Sequence, residues 1–257
     1  MISYCITLRN RVQFMREHLD MLLSQDFGTK NIELCVTDGI STDGLYDLLK
    51  GYAHYFGAVR YAISDRKQLP FTIPSNNPAC DKNSLVANLA SCDICILTDP
   101  EVVWIQNDGI SKAVAAISGN ANRFSSVPSH MGNEGYEYKN GAVDIKKTFG
   151  VYYECGFCLT FHRDTFIMMR GFEESFALGF AFDDCYFVNT WKKHLEICEI
   201  QPLVFHKWHG NQHLEPKNKL LSSENSSRVT ALNGTLANRA NDDWARPEVL
   251  LNIQTIR

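Results

Sequence analysis

Two carboxylates follow a short run of β-forming residues near the middle of the chain. Residues 94–98 read Ile-Cys-Ile-Leu-Thr, and Asp99 and Glu101 come directly after them, separated by Pro100. Alternate residues of a strand point the same way, so both carboxylates face one spot if the extended backbone continues through the proline. Two hard oxygen ligands there suit Mg²⁺ or Mn²⁺, which proteins often share with substrate phosphates. The alternative is a strand that ends in a solvated Asp-Pro turn.

Further polar side chains stand where other predicted strands end. Thr7 ends the first apolar run, and Asp38 ends the second and opens the turn Asp38-Gly-Ile-Ser-Thr-Asp-Gly44. Because ligands of open parallel sheets bind at the carboxyl ends of the strands, we expect Thr7, Asp38 and Asp99 to converge on one crevice. Asp38 also fits an Asx turn, and Asp43 stands where the following helix would be capped.

A third group of polar residues lies in the second half of the chain. Asp183 and Asp184 follow a glycine- and aromatic-rich loop and open a predicted helix. Acidic residues are favoured in the first turn of a helix by the helix dipole alone, so a structural role is an alternative for both. His206 and His209 are three apart on a predicted strand, so we expect them to face opposite sides and only one of them to reach a metal ion.

The elements that must position these residues alternate along the first half of the chain. Strands are predicted at 2–7, 32–37, 59–64 and 94–98, and helices near 11–25, from the turn after 38 to about 56, and near 81–91. This alternation predicts an α/β fold with a mostly parallel sheet and helices on both faces. The second half is predicted to contain helices near 107–118, 163–169 and 183–194, a hairpin at 136–145, and strands at 157–161 and 203–209.

The composition is that of an ordinary globular protein. The chain has 257 residues, of which 45% are hydrophobic and 21% charged, and its net charge is −4. That charge gives no reason to expect a nucleic-acid partner. Apolar runs stay well short of the ~20 residues that span a bilayer, so we expect no transmembrane segment, and the N-terminus shows no signal-peptide pattern.

The cysteines indicate the compartment. Cys5, Cys35 and Cys95 lie in apolar runs, where cysteine behaves as a small hydrophobic residue, and this favours a reducing cytoplasm. Two Cys-x-x-Cys pairs, Cys92 with Cys95 and Cys155 with Cys158, lie in or beside predicted strands. Residues i and i+3 of a strand point to opposite faces, which disfavours zinc binding by either pair.

Taken in chain order, these motifs resemble the glycosyltransferases of the GT-A fold, and most closely the family 2 group, over about residues 2–209. The segments that carry the resemblance are Ile6-Thr-Leu-Arg-Asn-Arg11, Asp38-Gly-Ile-Ser-Thr-Asp-Gly44, Lys82-Asn83, Asp99-Pro-Glu101, Gly171-Phe-Glu-Glu-Ser-Phe176, Gly179-Phe-Ala-Phe-Asp-Asp184 and Phe205-His-Lys-Trp-His209. Four positions depart from the family pattern: Lys82 replaces arginine, Glu101 replaces aspartate, Phe180 replaces tryptophan and Asp183 replaces glutamate.

The resemblance implies a domain organisation. We expect a Rossmann-like, mixed and mostly parallel sheet in which residues 1–106 form the nucleotide-sugar-binding half. Residues 107–209 would form the acceptor-binding and catalytic half of the same domain. Residues 210–257 are polar and weakly periodic, and we interpret them as an irregular tail or a lid over the site.

The resemblance also implies roles for individual residues. Mn²⁺ or Mg²⁺ would be bound by Asp99, Glu101 and His206. The donor would be bound by Thr7, Arg9, Asp38, Lys82, Asn83 and Asp99, with Asp38 accepting a hydrogen bond from the base. Asp184 aligns with the catalytic base and Asp183 with its acidic neighbour, and Asp183 could instead orient the acceptor hydroxyl. Acceptor contacts would come from Phe180, Trp208 and His209.

The activity that follows is the metal-dependent transfer of a sugar from a nucleotide-sugar donor, a UDP-sugar, to a hydroxyl of a glycan or glycoconjugate, with inversion. A retaining transferase on the same fold and a non-catalytic nucleotide- or glycan-binding module are the alternatives. A nucleotidyltransferase fits less well, because the glycine-rich loop with a following lysine is missing after the first strand. The sequence leaves the sugar, the linkage, the oligomeric state and peripheral contact with a membrane open.

Overall fold

The two central strands are buried along their whole length, as expected for strands that are covered on both faces. β1 (Ile2–Leu8) and β2 (Ile32–Asp38) are each buried at all seven positions. In β1, Tyr4 and Ile6 pack in the core on one face of the sheet, and Cys5 packs in the core on the other. The prediction that helices cover both faces is therefore confirmed.

A computed structural model describes residues 1–65, 78–131, 151–152, 156–198, 200, 204–207, 209, 216–238, 244–245, 247 and 250–256. Beyond β1 and β2, the strands are β3 (Ala58–Ser64), β4 (Ile94–Thr98), β5 (Val102–Trp104), β6 (Arg123–Ser126), β7 (Ser129–Met131), β8 (Val151–Tyr152), β9 (Cys158–His162), β10 (Glu196–Ile197), β11 (Val204–His206) and β12 (Leu250–Ile256).

Eight of these strands form one sheet in the order β10-β6-β9-β4-β1-β2-β3-β12. Strands β4, β1, β2 and β3 are parallel, whereas β9 is antiparallel to both of its neighbours and β12 is antiparallel to β3. The sheet is thus mixed, and it is parallel where the predicted site lies. Strands β5, β11, β7 and β8 form a second, four-stranded sheet.

The helices are α1 (Val12–Leu23), α2 (Leu45–Tyr52), α3 (Ala79–Ser84), α4 (Gly109–Ile117), α5 (Arg163–Met168), α6 (Asp183–Trp191) and α7 (Pro216–Leu232). The apolar face predicted for the first helix is confirmed, because Met15, Leu19 and Leu22 are buried. The helix predicted at 81–91 is shorter than expected, and a π-helical turn (Leu85–Leu89) follows it.

The interpretation of residues 210–257 as an irregular tail is wrong for two segments. Helix α7 is 17 residues long, and β12 extends the main sheet by pairing with β3. Neither has a clear apolar period: α7 buries only Leu221 and Asn225, and β12 is buried only at Leu250 and Ile256. The predicted hairpin at 136–145 lies outside the described residues. Within the described ranges, the helices are too short or too polar to cross a bilayer.

Candidate active site

A cleft of about 560 Å³ opens at the carboxyl ends of β1 and β4. Parallel strands bring their carboxyl ends to the same edge of the sheet, which is where α/β proteins bind ligands. The residues predicted from the sequence that line this cleft are Thr7, Arg9, Asp99, Glu101, His206 and His209. The structure therefore gathers the three metal candidates and the donor candidates Thr7, Arg9 and Asp99 around one space, whereas the donor candidates Asp38, Lys82 and Asn83 do not line it.

Asp99 and Glu101 reach the cleft by a different backbone path from the predicted one. Strand β4 ends at Thr98, and the Val102 N–H donates to the Asp99 carbonyl at 3.1 Å, so the backbone turns after Asp99. The extended geometry through Pro100 is therefore wrong, yet both carboxylates line the cleft. Burial raises the pKa of Asp99 to about 6, an effect that nearby Lys82 opposes and Glu101 reinforces.

Glu101 is held by an arginine. Arg11 Nε lies 2.6 Å from Glu101 Oε1, and the Glu101 side chain is 7% exposed. Burial raises the pKa of Glu101, and the adjacent guanidinium opposes that rise. In the part of the chain that the structure describes, no three His, Cys, Asp or Glu side chains are grouped closely enough to hold a metal ion. The residue types fit Mn²⁺ or Mg²⁺, but Glu101 must first exchange Arg11 for the cation.

His206 and His209 both line the cleft, so the prediction that they face opposite sides is wrong. Strand β11 ends at His206, and the chain brings the His209 ring to 5.2 Å from the His206 ring, between centroids. Burial lowers the pKa of His206 to about 3 and also lowers the pKa of His209. A neutral imidazole keeps a lone pair for a ligand or a metal ion. Trp208, predicted to contact the acceptor, lies outside the described residues.

Asp38 lies at the end of β2, next to the cleft wall formed by β1. Its carboxylate accepts hydrogen bonds from the Ser41 N–H at 2.7 Å and from the Tyr61 hydroxyl at 2.7 Å. The first of these bonds reaches three residues along the chain, one more than the Asx turn predicted as the alternative, and it holds the turn after β2 in a similar way. An ionised carboxylate has about four acceptor sites, so these two bonds leave capacity for a base N–H. Its role in base binding stays a prediction.

Asp43 caps a different helix from the expected one. The residue before α2 is Gly44, with φ +87° and no side-chain hydrogen bond to the helix. Asp43 Oδ2 instead accepts the N–H of Val12, the first residue of α1, at 2.8 Å. The carboxylate therefore ties the turn after β2 to the start of α1, immediately after the Arg9–Arg11 segment that lines the cleft.

Lys82, Asp183 and Asp184 form a buried ionic cluster. Lys82 Nζ lies 2.5 Å from Asp184 Oδ1 and 3.3 Å from Asp183 Oδ2, and the Lys82 side chain is 4% exposed. Burial alone would lower the pKa of Lys82, but its attraction to Asp184 and Asp183 outweighs burial and raises it. Burial and the neighbouring Asp183 raise the pKa of Asp184. One ammonium cannot neutralise two carboxylates, so the cluster retains affinity for a proton.

Asn83 holds the loop that leads toward this cluster. Its side chain donates to the Phe172 carbonyl at 2.8 Å and accepts the Phe172 N–H at 2.8 Å. It also donates to Glu174 Oε1 at 3.0 Å. Donor binding by Lys82 and Asn83 stays a prediction, since Lys82 contacts Asp183 and Asp184 and Asn83 contacts the loop at Phe172. Phe180, the predicted acceptor platform, is half-buried, and its N–H donates to the Leu221 carbonyl at 3.2 Å.

Three further cleft residues were not among the site residues predicted from the sequence. Asn10, Arg11 and Asp81 also line the cleft. Asn10 and Arg11 belong to the Thr-Leu-Arg-Asn-Arg run after β1, so their position was visible, but the Arg11–Glu101 pair was not. Asp81 accepts the Ser64 hydroxyl at 2.5 Å, which links the start of α3 to the end of β3. Such pairings join residues far apart in the chain and leave no local pattern.

This arrangement of strands and helices is the GT-A fold, the class found in nucleotide-sugar-dependent glycosyltransferases. The resemblance expected from the sequence is therefore confirmed at the level of the fold. The chain is similar to a mannosyltransferase from Pyrobaculum calidifontis, solved with GDP-Man and Mn²⁺ (TM-score 0.56, 14% identity, 88% of this chain and 64% of that one). It is also similar to glucosyl-3-phosphoglycerate synthase from Mycobacterium tuberculosis, solved with Mn²⁺, UDP-Glc and phosphoglyceric acid (TM-score 0.57, 11% identity, 90% and 80%).

Part of the chain is also similar in sequence to a protein named as a glycosyltransferase. The abequosyltransferase RfbV of Salmonella typhimurium is 28% identical over 120 residues, which is 46% of this chain and 31% of that protein. The match therefore spans about a third of the relative's length. No protein-family profile matches the chain.

Proposed function

We propose that the chain is a glycosyltransferase that moves one sugar from a nucleotide-sugar donor, a UDP-sugar, to a hydroxyl of a glycan or glycoconjugate. The observation that supports it is the continuity between the cleft and the buried cluster. Asp99 lines the cleft, and the charges of the buried cluster act on it: Lys82 lowers the pKa of Asp99 and Asp183 raises it. A donor in the cleft would thus lie beside carboxylates that can take a proton from an acceptor.

The donor side has the charges that a nucleoside diphosphate requires. Arg9 and Arg11 line the cleft at the end of β1, and arginine binds phosphate oxygens through its planar set of donors. Thr7 adds a hydroxyl at the same edge. Asp38, at the neighbouring strand end, would accept the N3–H of uracil and so favour a uridine nucleotide.

A divalent cation, Mn²⁺ or Mg²⁺, would be held by Asp99, Glu101 and His206, all of which line the cleft. The fit rests on the chemistry of the donor set, two carboxylates and an imidazole at one cleft. When bound, the cation would act as a Lewis acid for charge on the departing diphosphate. Arg11 would leave Glu101 and be available to a phosphate oxygen.

Asp184 is the proposed general base, and Asp183 its acidic neighbour. The acceptor hydroxyl would attack the anomeric carbon while its proton passes to an Asp184 oxygen, and the bond from that carbon to the diphosphate would break. A base works best when its pKa approaches the working pH, and burial raises the pKa of Asp184 in that direction. Lys82 would hold the carboxylate before the proton arrives. A single displacement of this kind inverts the anomeric centre.

Donor turnover tests the proposal. The chain should release UDP from a UDP-sugar in the presence of Mn²⁺, and Asp184→Asn should lower the rate by about 10³-fold, within the usual range for loss of a general base. UDP binding, measured by calorimetry, should change less than about threefold in the same variant, because the base does not hold the nucleotide. Asp164→Asn, an exposed aspartate in the first turn of α5, is the matched control and should keep full activity.

The second candidate is a non-catalytic nucleotide- or glycan-binding module. The Arg11–Glu101 ion pair favours it, because that pair occupies a predicted metal ligand. Tight UDP binding with no UDP release in any acceptor mixture would support the module and contradict the enzyme. If turnover is found, the anomeric configuration of the product separates inversion from retention.

A further inference from the structure

The backbone just before the proposed base adopts a conformation that side chains rarely allow. Ala181 has φ +60° and Phe182 has φ +71°, and Asp183 then begins α6. A non-glycine residue in this region is strained and persists only where its surroundings hold it. Two in succession, directly before Asp183 and Asp184, require a specific support.

Helix α7 supplies that support through one buried side chain. Asn225 is 0% exposed, and its Nδ2 donates to the Ala181 carbonyl at 2.8 Å and to the Phe176 carbonyl at 3.0 Å. These two carbonyls lie on either side of the Gly179–Phe180 bend. Both amide hydrogens of Asn225 are thereby used on the loop.

The amide of Asn225 is also fixed in orientation. Arg228, one turn further along α7, donates from Nη1 to Asn225 Oδ1 at 2.6 Å, so the amide nitrogen is left facing the loop. On the loop side, a Cβ at Gly179 would lie 2.1 Å from Asn225 Oδ1. Glycine at 179 therefore lets the loop approach the amide closely.

The rest of α7 explains why Asn225 is there. Among the side chains of α7, only Leu221 and Asn225 are buried, and the remaining ones are partly or fully exposed. A polar residue in the buried position of a polar helix carries little hydrophobic stabilisation. Its hydrogen bonds to the loop are its contribution.

We propose that Asn225 is a positioning residue, which holds the 176–182 loop in its left-handed form and thereby places the Asp184 carboxylate for proton transfer. This inference deepens the proposed function and rests on it, since the assignment of Asp184 as the base belongs to that function. Among the described residues, Asn225 does not line the cleft, and its side chain bonds to the Ala181 and Phe176 carbonyls and to Arg228, so it acts on the base through the loop backbone.

Asn225→Asp tests the inference with almost no change in shape. The carboxylate cannot donate to the Ala181 and Phe176 carbonyls, so the loop loses both bonds. We expect kcat to fall by about 10- to 100-fold, the scale of a misplaced catalytic group. The KM for the donor and the affinity for UDP should stay within about twofold, because the nucleotide side is built on β1, β2 and β4. Arg228→Met frees the amide to rotate and also removes a half-exposed ion pair with Glu224 at 3.7 Å, and it should cause a smaller loss in kcat.

A second measurement does not depend on activity. Hydrogen exchange of peptides that cover residues 176–184 should speed up in Asn225→Asp and less so in Arg228→Met. Ser226→Ala, an exposed neighbour on the same helix, is the matched control for both measurements and should behave like the wild type.

Unchanged exchange in this loop and unchanged kcat in Asn225→Asp would overturn the inference. An equal loss of kcat and UDP affinity would also overturn it, because that pattern indicates a general structural role. If the wild type turns over no donor, the proposed function fails on its own, and the exchange measurement still decides whether Asn225 holds the loop. Should Asn225→Asp fail to fold, Arg228→Met carries the same test.

Discussion

Two parts of the proposed site are held in different ways. On the donor side, which is built on β1 and β2, strand pairing places the side chains. On the catalytic side, buried asparagines hold the loop that leads to Asp183 and Asp184. Thr7 and Asp38 sit at the ends of β1 and β2, which pair in register from Ile2 with Ile32 to Leu8 with Asp38. Many backbone hydrogen bonds share that task, so no single side chain decides where these two residues lie.

The loop from Gly171 to Phe182 is held differently. Asn83 bonds to both backbone groups of Phe172, and Asn238 accepts the Glu174 N–H at 2.9 Å and donates to the Phe172 carbonyl at 2.7 Å. Asn225 holds the far end of the loop. Each of these contacts depends on one amide, so we expect single substitutions to disturb the catalytic side more than the donor side.

Lys82→Met should be the strongest test of that difference through stability. It leaves Asp183 and Asp184 buried without their cation, and breaking a buried ion pair in this way costs about 3 kcal/mol or more. Urea unfolding at pH 7 measures the loss. Lys112→Met, which removes an exposed pair with Asp108, is the control and should cost less than about 1 kcal/mol.

The same cluster offers an internal check. Adding Asp184→Asn to Lys82→Met removes one of the two stranded carboxylates, so the double variant should regain part of the lost stability. A Lys82→Met variant as stable as the wild type would contradict the charge assignment of the cluster.

The core beneath the donor side should be sensitive to acid. His18 is buried with its Nε2 3.0 Å from the Tyr4 hydroxyl, and burial lowers its pKa from 6.5 to about 3. His18 therefore binds a proton near pH 6.5 in the unfolded chain but only near pH 3 in the folded chain. The free energy of unfolding is highest above pH 6.5 and decreases as the pH drops, by about 2 kcal/mol at pH 5 for this group.

Urea unfolding of the wild type and His18→Gln at pH 7 and pH 5 isolates this effect. The wild type should lose about 2 kcal/mol more than the variant on acidification. His54→Gln, which replaces an exposed histidine after α2, is the control, and it should lose as much stability between pH 7 and pH 5 as the wild type. Equal losses in all three proteins would show that His18 is protonated in the folded state at pH 5.

The same contrast explains which features the sequence predicts. The apolar runs of β1, β2 and β4 are local signals, and they correctly predict the parallel core and the gathering of Thr7 and Asp99 at one edge. The buried face of α1 is visible for the same reason. Strand ends place polar residues by short-range geometry, and that geometry can be read from the order of residues.

The features that the sequence does not predict depend on partners far away in the chain. Strand β12 pairs Leu250 with Ser64, and its exposed middle shows no alternation. Within helix α7 the only buried apolar side chain is Leu221, and the other apolar residues follow no helical spacing, so no apolar period reveals the helix. The Lys82–Asp184 contact joins residues 102 positions apart. A lysine beside an asparagine looks equally suited to a phosphate, and only the fold shows which anion it meets.

Arg11→Met tests the donor side and has the smallest expected effect of these variants. The substitution removes the guanidinium that lies 2.6 Å from Glu101 and leaves that carboxylate available to a cation. We expect Mn²⁺ to bind about 10-fold more tightly without nucleotide, equal to about 1.4 kcal/mol, when measured by electron paramagnetic resonance titration. At pH 7 the Asp99 carboxylate, with a pKa of about 6, is ionised, so the titration reports on both proposed ligands.

Arg16→Met is the matched control, because Arg16 is an exposed arginine on α1 that does not line the cleft. Unchanged Mn²⁺ affinity in Arg11→Met would mean that Glu101 is not a metal ligand and that the pair is purely structural. The two outcomes also separate two ways of balancing the charge of the diphosphate. If Arg11 and the metal ion compete for Glu101, the metal ion replaces the arginine there when it binds. If they do not compete, the guanidinium of Arg11 itself supplies the positive charge that faces the diphosphate.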